Sequence, residues 1–253
     1  MKHKILSIRT RFARDIVAEV FFPEKQTGRV AILAIGAPTM PSKKERLQFL
    51  AKQGYVVVSP RYRGTWESDG FFLEHSPADD IRDVVLELEK KKRVLDIATG
   101  ETFSIKVYTV HLFGGSFGGP AVLLNTDLPI VKKVIAVSPV IDWQVLGEDE
   151  PFDEFVQYSC LGYGGAYRVK HTSDWQKLVK TDFYNPVAHA RKIDGKKVFI
   201  IHAKDDTNVP CDPVTPFAIA TGTSYYLKPH GGHRIKLEHK FLWKKVEAFL
   251  KKK

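Results

Sequence analysis

An apolar segment that runs into a cluster of glycines, VYTVHLFGGSFGG over residues 107–119, constrains the fold more than any other part of this sequence. Residues 107–113 have the apolar, β-branched character of a buried strand. Residues 121–124 continue as a helix. A strand that turns into a helix through glycines indicates that the two elements almost touch at the turn. Such a unit is typical of a sheet with helices packed on it.

Predicted strands and helices alternate along the rest of the chain. Strands are predicted at residues 29–35, 55–59, 134–137, 198–202 and 225–227. Helices are predicted at residues 42–53, from Pro77 onward, at 213–220 and at 237–250. This alternation predicts an α/β fold with a mostly parallel central sheet and helices on both faces. A strand at 16–22 is expected to lie antiparallel at one edge.

One segment interrupts this alternation. Residues 142–194 are rich in aromatic residues, glycine and acids, and they contain no clear strand. A loop of this length is uncommon in a compact domain. We therefore expect a single domain over residues 1–253, with a small lid inserted at 142–194. The lid is expected to cover the strand ends, where open α/β sheets bind ligands.

The composition excludes several classes of protein. Hydrophobic residues make up 43% of the 253 residues and charged residues 27%, which is ordinary for a globular domain. The amino-terminal residues lack the apolar core of a signal peptide, and no apolar run is long enough for a membrane span. The two cysteines, Cys160 and Cys211, cannot form a disulfide framework. We expect reduced thiols and a cytoplasmic location.

The net charge of +10 is concentrated at one end of the chain. Residues 234–253 contain eight Lys or Arg and two Glu. A nucleic-acid interface can have this composition, but a solvated helix face has it more often. We therefore expect no nucleic-acid partner. The histidines lack metal-ligand spacing, so neither a metal nor another cofactor is expected.

The glycine cluster fits the pattern G-x-S-x-G at residues 114–118, with Ser116 at its centre. Between a strand and a helix, this pattern holds a serine in a strained conformation and exposes its hydroxyl at the carboxyl edge of the sheet. Gly114 and Gly118 provide the small residues that the close approach requires. A glycine-rich turn without chemistry remains an alternative. A dinucleotide-binding turn fits less well, because Ser116 occupies the place of its second glycine.

A nucleophilic serine needs a general base, and the base needs an orienting acid. Asp206 follows the strand at 198–202, and His233 lies in a glycine-flanked loop after the last strand. Both positions bring a side chain to the carboxyl edge of the sheet. Asp205 and Asp142 are alternative acids, and His230 is an alternative base.

Five segments in the same order resemble motifs of the α/β-hydrolases, closest to the prolyl-oligopeptidase-like serine hydrolases and esterases. They are residues 62–70, 114–119, 138–143, 202–210 and 232–233, and the similarity extends over about residues 29–250. The resemblance implies an α/β-hydrolase fold with Ser116 as nucleophile, Asp206 as acid and His233 as base. Ala203 departs from the glycine that is usual after His202. Only 28 residues precede the first parallel strand, which leaves no room for a β-propeller there and favours an esterase over a peptidase.

The remaining candidate residues surround the serine. The backbone N–H groups of Phe117 and Ala37 are expected to form the oxyanion hole, because Pro38 has no N–H. Gly36 is the next candidate. The predicted lid carries aromatic residues that either line a substrate pocket or only pack the lid on the sheet, and four are candidate substrate-binding residues: Trp143, Phe152, Phe155 and Tyr158.

The sequence thus predicts a serine hydrolase that cleaves carboxylic esters or thioesters through an acyl-enzyme. A small exopeptidase or an acylaminoacyl-peptidase-like amide hydrolase is the alternative, and a catalytically silent binding protein on the same fold is a further one. The expected partner is a small-molecule ester, a thioester or a short peptide. The oligomeric state stays open.

Overall fold

A computed structural model of the chain describes residues 5–41 and 44–252. Its strands are β1 (Ser7–Phe12), β2 (Ile16–Phe21), β3 (Arg29–Ala34), β4 (Val56–Pro60), β5 (Arg93–Leu95), β6 (Thr102–Ser104), β7 (Thr109–Ser116), β8 (Val131–Pro139), β9 (Val198–Ala203) and β10 (Ser224–Lys228). β5 and β6 form a small antiparallel hairpin. The other strands form one sheet in the order β1-β2-β4-β3-β7-β8-β9-β10.

The α-helices are α1 (Lys44–Lys52), α2 (Pro77–Lys90), α3 (Gly118–Leu123), α4 (Phe152–Leu161), α5 (Lys177–Lys180), α6 (Val214–Thr221) and α7 (Lys240–Leu250). The start of the first predicted helix, at residues 42 and 43, lies outside the described residues. α7 begins three residues later than predicted, because His239 still has an extended backbone. Within residues 5–41 and 44–252, the helices are too short or too polar to cross a membrane.

The mostly parallel sheet is confirmed, since β3, β4, β7, β8, β9 and β10 pair in parallel. β2 is antiparallel to β4, as predicted, but it is not the edge strand. The edge is β1, which the sequence analysis missed and which pairs with β2 along its whole length. β1 alternates buried Ile8, Thr10 and Phe12 with more exposed residues, and this pattern suits a strand with one covered face.

Helices cover both faces of the sheet, so its interior strands are buried on both sides. α1 and α7 pack on one face through Leu47, Leu50, Leu242 and Val246. α2, α3 and α6 pack on the other face, together with much of residues 142–194. A sheet clamped in this way gives its carboxyl edge a fixed backbone on which side chains can be positioned.

Residues 142–194 lie between β8 and β9 and contain α4, α5 and four short 3-10 helices. Their backbone is bonded to the loop that follows β4. The N–H of Trp66 donates to Ala166 O at 2.9 Å, and the N–H of Arg168 donates to Gly64 O at 2.8 Å. Trp175, which belongs to the segment, is fully buried. These bonds tie the segment to the sheet, and its action as a lid stays a prediction.

Candidate active site

Ser116 lies at the turn between β7 and α3, with a left-handed φ of 53°. A Cβ atom on Gly114 would collide with the Gly118 carbonyl and lie 2.7 Å from Val122 Cγ2. A Cβ on Gly118 would collide with the carbonyl oxygens of Ala34, the last residue of β3, and of Ile35. These close approaches explain why both positions require glycine, as predicted from the sequence.

Two buried tyrosines hold the backbone around Ser116. Tyr184 donates its hydroxyl to Phe117 O at 2.7 Å, and Tyr62 donates to Ile35 O at 2.8 Å. Burial raises the pKa of Tyr62 and of Tyr184 above the usual range, so both hydroxyls keep the protons that they donate. The turn at Ser116 and the loop after β3 are thereby fixed relative to each other.

Asp206 follows β9 with a fully buried side chain that accepts four hydrogen bonds. Its Oδ1 accepts from the N–H groups of Asn208 at 3.1 Å and Val209 at 2.9 Å. Its Oδ2 lies 2.9 Å from His233 Nδ1 and 3.1 Å from His202 Nε2. Burial alone would raise the pKa of Asp206, but the bonds from His202, His233 and Val209 outweigh it and hold the pKa well below the usual range.

His202 is a second histidine on the same carboxylate, and the sequence analysis did not identify this contact. Its Nε2 also lies 2.8 Å from Val209 O, an acceptor, so Nε2 carries the proton. The side chain is fully buried, and Nδ1 has no hydrogen-bond partner within the described residues. His202 therefore holds the same oxygen of Asp206 that His233 contacts. The only sequence signal for this contact is its spacing of four residues from Asp206.

The alternative acids contact other groups. Asp205 accepts from the N–H groups of Gly232 at 2.9 Å and Gly231 at 3.1 Å, and these bonds lower its pKa. It thus stabilises the loop that carries His233, and its hydrogen bonds within the described residues go to the glycines and not to His233. Asp142 accepts from the N–H of Gln144 and from the side chain of Asn185, both at 3.0 Å. Of the three candidate acids, Asp206 is the one bonded to His233.

Ser116 and His233 line the same cavity, which has a volume of about 570 Å³. Gly36 and Ala37 line it too, so the loop after β3 reaches the serine. A Cβ atom built on Gly36 would lie 3.5 Å from Ser116 Cβ and 3.9 Å from its Oγ. The alternative base, His230, is 89% exposed and lies 3.6 Å from Asp205. The structure thus brings the predicted serine, histidine and oxyanion loop to one cavity.

A second, smaller cavity of about 30 Å³ adjoins Ser116 and Phe117. Three of the four predicted substrate-binding residues line it: Trp143, Phe152 and Phe155. Tyr158 is 57% exposed and lines the large cavity instead. The aromatic rings also pack on one another, with 6.2 Å between the ring centres of Trp143 and Phe155. The same aromatic side chains therefore line the small cavity and pack against one another.

Two polar residues that line both cavities were not among the predicted site residues. Glu150 and Asn208 each border the large and the small one. Asn208 follows Asp206 by two residues, so its place near the site could have been inferred from the loop. Glu150 belongs to an acidic run, and nothing in the run distinguishes it from its neighbours.

Solved structures with this architecture include three α/β enzymes of low sequence identity. An esterase from Pyrococcus furiosus superposes with a TM-score of 0.68 at 16% identity, covering 98% of this chain and 90% of its own. An α/β hydrolase from a Penicillium species gives 0.70 at 14% identity, with 98% of each chain covered. An acylaminoacyl peptidase from Pyrococcus horikoshii gives 0.65 at 16% identity, covering 98% of this chain and 41% of the peptidase. These similarities confirm the predicted α/β-hydrolase fold.

None of the curated protein sequences compared with the chain matches it. The sequence profile of the prolyl oligopeptidase family, however, matches residues 41–236. This range includes the serine turn, the segment at 142–194 and the loops of Asp206 and His233. The predicted family resemblance is confirmed: the chain belongs to the prolyl oligopeptidase family of serine hydrolases.

Proposed function

We propose that the protein hydrolyses small carboxylic esters or thioesters through a triad of Ser116, His233 and Asp206. The Ser116 hydroxyl attacks the substrate carbonyl, and His233 accepts its proton. His233 then gives that proton to the departing alcohol or thiol, and an acyl-enzyme remains on Ser116. Water, activated by the same histidine, releases the acid and restores the serine.

The observation that carries this proposal is the 2.9 Å contact between His233 Nδ1 and Asp206 Oδ2. His233 and Ser116 line the same cavity. A carboxylate at Nδ1 keeps the proton of neutral His233 on that nitrogen. Nε2 is then left with the lone pair that a general base needs. Asp206 also stabilises the imidazolium that forms when His233 takes the serine proton.

The oxyanion is assigned to the backbone N–H groups of Phe117 and Ala37. Phe117 directly follows the nucleophile, and Ala37 borders both cavities together with Ser116. Backbone donors fixed before the reaction stabilise the negative charge that develops on the carbonyl oxygen. The bonds from Tyr184 and Tyr62 support this assignment, because they hold the two backbone segments in place.

The size of the small cavity favours substrates with a short acyl group. Its volume of about 30 Å³ is on the order of two water-sized probes. It therefore suits an acetyl or propionyl group better than a long chain. Amide hydrolysis is the second candidate activity, favoured by the family match and by a large cavity that has room for a peptide.

Labelling with a fluorophosphonate, read by intact mass, tests the nucleophile. We expect one adduct on the wild type and none on Ser116→Ala. Ser138→Ala is the matched control, since Ser138 is a serine near the end of the neighbouring strand with a similar φ of 45°. It should be labelled like the wild type.

A substrate panel then separates the candidate activities. p-Nitrophenyl acetate tests the esterase, and alanine p-nitroanilide tests the amide hydrolase. No adduct and no cleavage by folded wild-type protein would reject the hydrolase proposal and favour a binding protein on this fold.

A further inference from the structure

Glu150 occupies a special position among the acidic residues of the segment at 142–194. It borders the large cavity together with Ser116 and His233, and the small apolar cavity together with Trp143 and Phe155. Its side chain is half-buried, whereas Glu148 and Asp149 beside it are exposed. The proposed catalytic steps do not use Glu150.

The surroundings of Glu150 leave its charge incompletely compensated. Among the described residues, it takes part in none of the ion pairs with lysine or arginine. Burial raises its pKa, and nearby Asp206 acts in the same direction, whereas His233 and a bond from Asn208 oppose the rise. A partly desolvated carboxylate gains more from an incoming cation than a solvated one does.

The cationic residues of the site line the large cavity, which Glu150 also borders. Arg46, Arg234 and Lys236 line the large cavity but not the small one. Arg46 is already paired with Glu238 at 2.7 Å, and the other two are exposed. Among the residues that the structure describes, the small cavity therefore has one charged residue on its border, the acid Glu150.

We propose that Glu150 binds a protonated amine in the acyl part of the substrate. The preferred substrates would then be α-aminoacyl esters or amides with a small apolar side chain, in place of unsubstituted acyl groups. This inference rests on the proposed serine-hydrolase function.

The geometry explains why the amine belongs on the acyl side. In an α-aminoacyl group, the side chain and the amine are attached to the carbon next to the reacting carbonyl. A side chain in the small cavity would place this carbon between Ser116 and the aromatic wall. Glu150 borders the same cavity and also opens to the large one, so an amine on that carbon would lie in the space that Glu150 borders.

Methyl alaninate and methyl propionate test the inference, because they share a carbon skeleton and differ in the amine. The measurement is kcat/KM for each ester, followed by acid release in a pH-stat. A charge-assisted hydrogen bond of this kind corresponds to about a tenfold or larger effect. In Glu150→Gln, we expect the alaninate-to-propionate ratio of kcat/KM to fall by about tenfold or more. Cleavage of methyl propionate should change by less than about threefold.

Glu148→Gln removes a neighbouring charge from a residue that borders neither cavity, and it should leave the ratio unchanged. An unchanged ratio in Glu150→Gln overturns the inference. So does an equal loss on both esters, which would mean that Glu150 acts through His233 and not through the amine.

The failure of the proposed function would look different. If the wild type cleaves neither ester and Ser116 takes no fluorophosphonate, the hydrolase proposal fails and the role of Glu150 fails with it. If Ser116 is labelled and both esters are cleaved, only the ratio decides about Glu150.

Discussion

Replacing Asp206 with asparagine tests how the histidine is oriented. Four donors converge on the carboxylate: two backbone N–H groups on Oδ1, and His202 with His233 on Oδ2. A carboxamide accepts through one oxygen only, and its NH2 group is a donor. If NH2 faces the backbone, it meets two N–H groups that cannot become acceptors. It therefore faces the histidines.

The catalytic cost follows from this orientation. His233 must accept the amide proton at Nδ1, so its own proton moves to Nε2, the nitrogen that should take the proton of Ser116. In serine-protease triads, this wrong tautomer lowers kcat by about 10⁴-fold, which corresponds to about 5.5 kcal/mol of activation free energy. We expect a loss of about 10³–10⁴-fold in kcat for p-nitrophenyl acetate.

The substitution should also lower stability, because charge-assisted bonds to a buried carboxylate are lost. We expect a loss of about 3 kcal/mol in the free energy of unfolding. This corresponds to a decrease in Tm of about 6–12 °C for a chain of this size.

The stability effect should depend on pH. The pKa of Asp206 is lowered in the folded state, compared with about 3.9 in an unfolded chain. Its contribution is therefore complete above that value and is lost as the pH falls toward the folded pKa. The difference in Tm between the wild type and Asp206→Asn should be constant from about pH 6 to 8 and shrink below about pH 4.

Two matched variants distinguish the acids. Asp142→Asn should keep kcat within about threefold, because its carboxylate accepts hydrogen bonds from Gln144 and Asn185 and is not bonded to His233. Asp205→Asn keeps an oxygen for one of the two loop N–H groups and should cost at most about tenfold. A folded Asp206→Asn variant with kcat within tenfold of the wild type, together with a large loss in Asp142→Asn, would refute the assignment of the acid.

Two further substitutions test the turn at Ser116 and the small cavity. Gly118→Ala places a methyl group against the carbonyls of Ala34 and Ile35, and it should lower Tm by about 4–8 °C through a loss of about 2 kcal/mol. Gly165→Ala is its control, since a Cβ there meets open space, and its Tm should stay within about 2 °C. Phe155→Leu enlarges the small cavity and should raise kcat/KM for p-nitrophenyl butyrate relative to the acetate by about fourfold, roughly the value of one buried methylene. An unchanged ratio would mean that the acyl group does not enter this cavity.

The sequence predicted those parts of the site that depend on local steric requirements. The glycines around Ser116 were identifiable because a strand and a helix cannot approach so closely with larger residues. The parallel sheet was predictable because strands buried on both faces are continuously apolar. β1 was missed because its alternation is short and polar, and its stability depends on pairing with β2.

Contacts between residues far apart in the chain could not be predicted from the sequence. Tyr184 reaches Phe117 across 67 positions, and the loop of Arg168 bonds to that of Trp66 across about a hundred. Such pairs depend on how residues 142–194 fold back on the sheet, and no periodic pattern encodes that path. The position of Glu150 at both cavities could not be predicted for the same reason. Only the fold distinguishes this residue from the exposed acids beside it.

Asp206 and His233 also differ in how firmly they are held, and this bears on which part of the site can adapt. The Asp206 carboxylate accepts two hydrogen bonds from its own loop at Oδ1 and two from histidines at Oδ2. The loop at the end of β9 therefore fixes the position of this carboxylate. His233 lies on a loop whose two glycines, Gly231 and Gly232, both have positive φ and are bonded to Asp205. Variation in reactivity among variants of this chain should therefore come from the histidine loop and from the wall at 142–194, while the acid and the serine turn stay fixed.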